Sequence, residues 1–278
     1  MNRREISRSL TAIESGEQIN IKSRERTSEW AVLGITGPPG VGKSCLVDHL
    51  VRSWVHRGEK VAILAIDPSS PVSGGALLGD RMRMSSVDEG DGVFLRSIAT
   101  RNLPGGLPAR LEKMVNFLIG EGWNRIIIET VGSGQSEIRI VAVADRLLLI
   151  EGPDRGDVIQ AEKAGIMELA DIIVVNKADL SGAEKAAADI RLALEMADSE
   201  PAPVLLCSAE TGQGVSELIV ALDQLPSARG PAIARARERL IANHQELLLS
   251  HPDFSDVLKG LSTGQLTIEE AMKALQMR

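Results

Sequence analysis

The octapeptide Gly37-Pro38-Pro39-Gly40-Val41-Gly42-Lys43-Ser44 limits what this chain can fold into more than any other stretch. Its spacing, G-x-x-x-x-G-K-S, is that of a loop that wraps phosphate. Glycines let the backbone turn tightly, so that successive N–H groups point inward at phosphate oxygens with no Cβ in the way. Lys43 adds a point charge, and the Ser44 hydroxyl can ligate Mg²⁺. Such a loop belongs between a buried strand and the N-terminus of a helix, whose dipole favours an anion. The flanks agree: Trp30-Ala-Val-Leu-Gly-Ile-Thr36 is an apolar run of strand length, and Cys45 to Trp54 has helical spacing.

Further apolar runs end in residues with chemistry to offer. Lys60-Val-Ala-Ile-Leu-Ala-Ile-Asp67 and Arg125-Ile-Ile-Ile-Glu-Thr130 read as parallel strands buried on both faces. Asp67 and Glu129 then stand at carboxyl ends of strands, where open α/β sheets keep their ligand chemistry. A carboxylate such as Glu129 can accept from metal-bound water without cancelling the metal's charge. The stretch from Pro68 to Met84, with Asp80 between Gly79 and Arg81, fits either a solvated loop or a switch segment that meets Mg²⁺ or the γ-phosphate. Beyond Glu129, Gly132 is spaced to offer its N–H to the γ-phosphate, and Gln135 is either a water-orienting group or a structural amide.

Asp171-Ile-Ile-Val-Val175 runs straight into Asn176-Lys177-Ala178-Asp179. An Asp carboxylate accepts from both N1–H and the 2-amino group of guanine, while Asn and Lys brace the ring and the loop. Adenine lacks both donors and leaves the carboxylate unpaired, so this pattern behind a phosphate loop points to GTP rather than ATP. Pro203-Val-Leu-Leu-Cys207 supplies a last strand, after which Ser208 and Ala209 stand where a backbone N–H can meet guanine O6.

Strand readings at Val93–Ile98 and Arg146–Ile150 alternate with helical ones at Pro104–Leu118, Ile159–Leu169 and Val215–Leu222. The expected fold is α/β: a three-layer P-loop NTPase with a mainly parallel sheet flanked by helices. The turn from Glu151 to Asp157 is either a plain strand-to-helix connection or a second mobile element that reports nucleotide state to a partner. Ile6, Leu10 and Ile13 mark one face of an N-terminal helix. After Pro226 a charged helix from Ala232 to Leu249 carries Ile233, Leu240, Ile241 and Leu248 as a stripe, and Thr267-Ile-Glu-Glu270 has capping-box spacing. The expected division is therefore 1–28 as N-terminal helix and linker, 29–226 as the nucleotide domain and 227–278 as a C-terminal helical arm. That arm serves dimerisation or partner docking, or packs back on its own domain.

Composition narrows the partners. A net charge of −7, with 2% aromatic residues and no Tyr, offers neither a phosphate-tracking groove nor a base-stacking platform, so nucleic acid is not expected. The first ten residues lack an apolar signal core and no run approaches the ~20 residues that span a bilayer, so the expectation is a cytoplasmic protein without membrane contact. Cys45 and Cys207 lack metal or redox spacing and are expected to be buried thiols. His49 with His56, and His244 with His251, share helix faces without a third ligand.

At Gly37–Ser44, at Asp67-Pro-Ser-Ser-Pro with Gly74-Gly and Leu78-Gly-Asp80, at Glu129-Thr-Val-Gly-Ser-Gly-Gln-Ser-Glu137 and at Asn176-Lys-Ala-Asp179, the chain resembles the MeaB/ArgK-type GTPases. These are chaperones of adenosylcobalamin-dependent acyl-CoA mutases with a SIMIBI-type fold. The resemblance spans most of Trp30 to Leu225. It implies that Ser44, Asp67, Asp80 and Glu129 form the Mg²⁺ and switch environment, that Lys43 holds phosphates, and that GTP hydrolysis times cofactor loading and mutase protection. It also implies a homodimer formed through C-terminal helices. The N-terminal part is short for the family, and Ser133 stands where the family pattern has Val. Without an evident arginine finger, the expected intrinsic hydrolysis is slow and accelerated by the mutase. Two other classes share the phosphate loop: nickel or cobalt insertion GTPases, which favour a Cys/His cluster, and small-molecule kinases, which do not need the Asn176–Asp179 motif.

Overall fold

The computed structural model describes residues 1–22, 30–67, 90–99, 110–130, 139–153, 161–196, 201–225 and 232–275. Its centre is a seven-stranded sheet of β1 (Val32–Thr36), β2 (Val61–Asp67), β3 (Val93–Ala99), β4 (Arg125–Thr130), β5 (Arg146–Glu151), β6 (Ile172–Val175) and β7 (Val204–Leu206). The order is β3-β2-β4-β1-β5-β6-β7 and every pairing is parallel. Strands covered on both faces must be apolar throughout. Accordingly β1, β2, β4, β5 and β6 are buried at every position.

The period-2 alternation of these strands sorts their side chains into two cores. Val32, Leu64, Ile126, Leu147 and Ile173 face one side, against α1 (Arg3–Ser15), α3 (Leu111–Gly120), α4 (Ala161–Leu169) and α5 (Ala183–Glu195). Leu33, Ile63, Ile127, Leu148 and Ile172 face the other, against α2 (Lys43–His56) and α6 (Val215–Gln224). The result is the three-layer arrangement expected from the alternating pattern. Ile6, Leu10 and Ile13 of α1 are buried as their spacing predicts, and Arg96 on the edge strand β3 grips the same helix through Ser7 O at 2.6 Å and Glu14 Oε2 at 2.9 Å. The expected start of a helix at Pro104 lies outside the described residues; α3 itself begins at Leu111. The alanine-rich helix α5 has no counterpart in the sequence reading.

At the amino ends of the strands a tryptophan–arginine cluster anchors the far end of α2. The Arg125 guanidinium lies 3.9 Å from the centre of the Trp30 ring, pairs with Glu59 at 2.8 Å, and Trp30 meets Trp54 of α2 edge-on at 5.7 Å. With its last turn fixed there, α2 presents its first turn to the opposite, carboxyl edge of the sheet.

The C-terminal helices are α7 (Ala232–Leu249), α8 (Phe254–Ser262) and α9 (Ile268–Ala274). The structure reverses the ordinary polarity of α7. Its inward side is polar: buried Arg235 pairs with Asp171 Oδ2 at 2.5 Å, Arg239 Nε donates to Ala142 O at 3.2 Å, and Gln245 accepts from Arg139. Its apolar stripe faces outward, leaving Ile233 85% and Leu240 73% exposed. The thiol expectation holds for Cys207, which is buried, and fails for Cys45, which is exposed. Cys45 lies on the first turn of α2, where Leu46 and Val47 take the inward positions. No helix among the described residues is long and apolar enough to cross a membrane.

Candidate functional site

The glycine loop leaves the central strand β1 at Thr36. Gly37 has φ +140°, and a Cβ there would lie 2.0 Å from the carbonyl oxygen of Ile150 on β5, so the loop can begin here only without a side chain. Gly42 caps α2 in the left-handed region with φ 94°, and a Cβ on it would stand 2.4 Å from Asn176 Nδ2. Lys43 is buried, and its Nζ donates to Gly37 O at 2.7 Å and Pro38 O at 3.0 Å, which fixes the ammonium at the loop. Pro39 and Gly40, at the loop's crest, are exposed.

Beside the loop, Ser44 Oγ donates to Glu129 Oε1 at 2.9 Å. Because the hydroxyl hydrogen points at the carboxylate, the lone pairs of Ser44 Oγ can turn to a cation. Strand register sets Glu129 of β4 opposite Ile35 of β1 and Ala65 of β2, so Asp67 closes the neighbouring strand two residues further along. Asp67 and Glu129 are both buried. A hydroxyl and two carboxylates are hard oxygen donors, a set that fits Mg²⁺ and suits soft metals poorly. Among the described residues no group of three or more His, Cys, Asp or Glu could hold a metal ion. Thr130 Oγ1 donates to Thr36 Oγ1 at 3.0 Å, tying the end of β4 to the start of the loop. Asp80, Gly132 and Gln135 lie outside the described residues.

The second half of the site gathers at the ends of β6 and β7. Asn176 is buried and doubly held: its Nδ2 donates to Val41 O at 2.8 Å and its Oδ1 accepts from Ala209 N at 2.9 Å. One amide therefore ties the phosphate loop to the loop after β7. Of the two backbone N–H groups at the expected guanine O6 position, that of Ala209 is directed at Asn176 Oδ1 and that of Ser208 at Gln213 O at 2.9 Å. Lys177 adopts φ 62°, a left-handed conformation uncommon outside glycine that clusters at functional sites. Asp179 is exposed, and its Oδ1 accepts from Ser208 Oγ at 2.5 Å. Burial, with Glu217 adding to it, pushes the Cys207 thiol up to about 12, which leaves it a neutral donor to Gly214 O at 3.2 Å.

Sequence reasoning brought the loop, Asn176, Asp179, Ser208 and Glu129 to one edge of the sheet, and the structure does the same. His49, which the sequence marks only as one of two histidines on a helix face without a third ligand, has its Nε2 2.8 Å from Ala209 O, and sequence reasoning foresees neither that contact nor the Thr36–Thr130 bond. Only a residue's chemical type, read at the end of a strand, could have signalled the threonines.

A phosphate loop on the central strand of a parallel sheet, with the Asn176–Asp179 motif two strands away, defines a P-loop GTPase. Residues 6–253 match the family model described as methylmalonyl-CoA mutase-associated GTPase MeaB, and the chain belongs to that family. It is 41% identical over 227 residues to a putative GTPase of Pyrococcus horikoshii, covering 78% of this chain and 72% of the relative. It is 34% identical over 193 residues to the mitochondrial methylmalonic aciduria type A homolog of Mus musculus, covering 67% of this chain and 46% of that protein. Among solved structures, a LAO/AO transport system kinase shares the fold with a TM-score of 0.61 at 22% identity, over 98% of this chain and 92% of the other.

Proposed function

We propose that this GTPase is a cytoplasmic chaperone of an adenosylcobalamin-dependent acyl-CoA mutase of the methylmalonyl-CoA mutase type, assisting cofactor loading and protecting or reactivating the enzyme. The observation that carries this reading is the match of residues 6–253 to a family of mutase-associated GTPases, supported by a glycine loop that Asn176 ties to the loop after β7. Lys43 and the backbone N–H groups of Gly37–Ser44 hold the phosphates. Asn176 and Lys177 shape the base site, and Asp179 accepts from guanine N1–H and the 2-amino group. Ser44, Asp67, Asp80 and Glu129 would hold Mg²⁺, which when bound neutralises charge developing on the phosphates. Water attacks the γ-phosphorus and the bond to the β–γ bridging oxygen breaks, releasing GDP and phosphate; Gln135 is the candidate for orienting that water. With no covalent step asked of the protein, the intrinsic rate is set by positioning, and partner binding raises it.

The division at 28 and 226 follows from the same reading, with 227–278 as a dimerisation arm. The outward apolar stripe of α7, carried by a helix whose polar side is fixed to the domain through Arg235 and Arg239, supports it.

The test is GTP hydrolysis by the purified protein alone and with purified acyl-CoA mutases, with ATP and the Asp179→Asn variant as controls. Stimulation of GTP turnover by one mutase is expected. GTP turnover that no mutase alters would leave a GTPase without this chaperone role.

A further inference from the structure

We propose that His49 is a positioning residue of the guanine site, acting through the loop after β7 on the carboxylate of Asp179. The inference rests on the reading of Asn176–Asp179 as a guanine motif and extends it to a residue outside that motif. His49 lies on α2, on the turn after the one that carries Lys43 and Ser44, and is half-buried. Its Nε2 is 2.8 Å from Ala209 O. A carbonyl oxygen only accepts, so Nε2 carries the proton and donates. The ring also backs the same loop at Gly212, whose Cβ, if present, would stand 4.0 Å from His49 Cε1.

Ala209 is thus gripped at both ends. Its N–H donates to Asn176 Oδ1 at 2.9 Å and its carbonyl accepts from His49. The preceding residue is the lever. Ser208 Oγ donates to Asp179 Oδ1 at 2.5 Å and accepts from Thr211 N at 3.2 Å, so its hydroxyl is aimed by the loop and in turn aims the carboxylate. Ser208 is buried and Asp179 exposed, so this hydroxyl is the fixed member of the pair. A path of two hydrogen bonds joined by the Ser208–Ala209 peptide then runs from α2 to the acid read as the base contact. Ser208 keeps its own backbone bonds, from its N–H to Gln213 O at 2.9 Å and from Gly212 N to its carbonyl at 2.8 Å, so removing the His49 donor loosens the loop at Ala209 and widens the range of directions open to the Ser208 hydroxyl without releasing it. Asp179 then spends part of its time away from the geometry that accepts the 2-amino group.

A histidine that only staples a loop to a helix would affect stability and nothing else. The difference is measurable because hypoxanthine keeps N1–H and O6 and lacks the 2-amino group, so the ratio of GDP to IDP affinity reports the Asp179 contact to that group. The experiment is calorimetric titration of GDP, IDP and ADP into the full chain as wild type, His49→Ala, His49→Gln and Asp179→Asn, with thermal midpoints recorded for each. One neutral hydrogen bond is worth about 2- to 12-fold in an equilibrium constant. The GDP-over-IDP preference should therefore fall several-fold in His49→Ala, through weaker GDP binding, and His49→Gln, which keeps a side-chain N–H donor, should recover most of it. If His49→Ala does not fold, His49→Asn, which ends short of Ala209 O, carries the same expectation.

Equal weakening of GDP and IDP, or a lowered thermal midpoint with an unchanged GDP-over-IDP ratio, would overturn the role of His49 alone. A wild-type protein that binds GDP no better than IDP and ADP would overturn the guanine reading itself, and this inference with it.

Discussion

Replacing Gly42 by alanine tests the joint between the two halves of the site. Gly42 has φ 94°, and its added Cβ would lie 2.4 Å from Asn176 Nδ2. That amide cannot step aside cheaply, because Asn176 is 1% exposed and held by Val41 O at 2.8 Å and Ala209 N at 2.9 Å. Two costs add: about 1–2 kcal/mol for a Cβ in the left-handed region, and about 1 kcal/mol for each of the two hydrogen bonds displaced. Gly58, at the other end of α2, provides the control: its φ is +80° and nothing lies within 4 Å of an added Cβ. Gly58→Ala therefore carries the backbone cost without the collision, and the entropy that alanine removes from the unfolded chain is common to both variants. The difference should be about 2 kcal/mol. At about 2–4 °C per kcal/mol for a chain of this size, Gly42→Ala should melt about 4–8 °C below Gly58→Ala without nucleotide. In a GDP titration, Gly42→Ala should bind weakly while Gly58→Ala binds as the parent does. Equal midpoints and equal GDP affinity for the two variants would refute the placement of Asn176 against the loop.

Burial holds the Asp171 carboxyl above its ordinary 3.8, against the opposing pull of Arg235 and the Leu147 N–H. The folded state then keeps the proton better than the unfolded one, so this group's contribution to stability falls as pH rises from 3.8 through the raised value. Arg235→Met leaves the charge uncompensated and should cost about 3–5 kcal/mol near neutrality; urea midpoints should show that penalty shrinking as pH is lowered towards 3.8 and Asp171 takes up its proton. In alkylation at pH 8, native protein should take one label, at exposed Cys45, while Cys207, pushed up to about 12, reacts only after unfolding. GDP with Mg²⁺ should slow the Cys45 reaction, and an unchanged rate would argue against nucleotide at the adjoining loop. If the proposed arm dimerises through this stripe, Leu240→Arg, at a position 73% exposed on α7, should read as monomer in light scattering where the parent reads as dimer, and should change stability by less than about 0.5 kcal/mol.

What the sequence disclosed follows from where hydrophobic burial writes a pattern. Strands covered on both faces read as unbroken apolar runs, so Asp67, Glu129 and Asn176 could be placed at the sheet's carboxyl edge by counting to the end of each run. Helix α5 escaped because its inward stripe opens with Ala183 and Ala187 before Ile190 and Leu194, and alanine marks a face only weakly. For α7 the period was legible and its direction was not. The stripe of Ile233, Leu240 and Ile241 says which residues share a side, whereas the side that docks is chosen by Arg235 reaching a buried Asp171 carboxylate.

Polar contacts between distant elements leave no periodic trace at all. His49 and Ala209 are 160 positions apart, and neither residue's type nor its neighbours announce the bond. A chain specifies such a contact only through the fold that the apolar pattern builds first. Once α2 is fixed at its far end by Trp54 and at its near end by the glycine loop, the direction in which His49 points is already decided, and the loop after β7 lies in its path. The parts of the site that no motif signals are therefore those set by packing, and they are where this chain can tune a shared guanine site without altering the residues that touch the nucleotide.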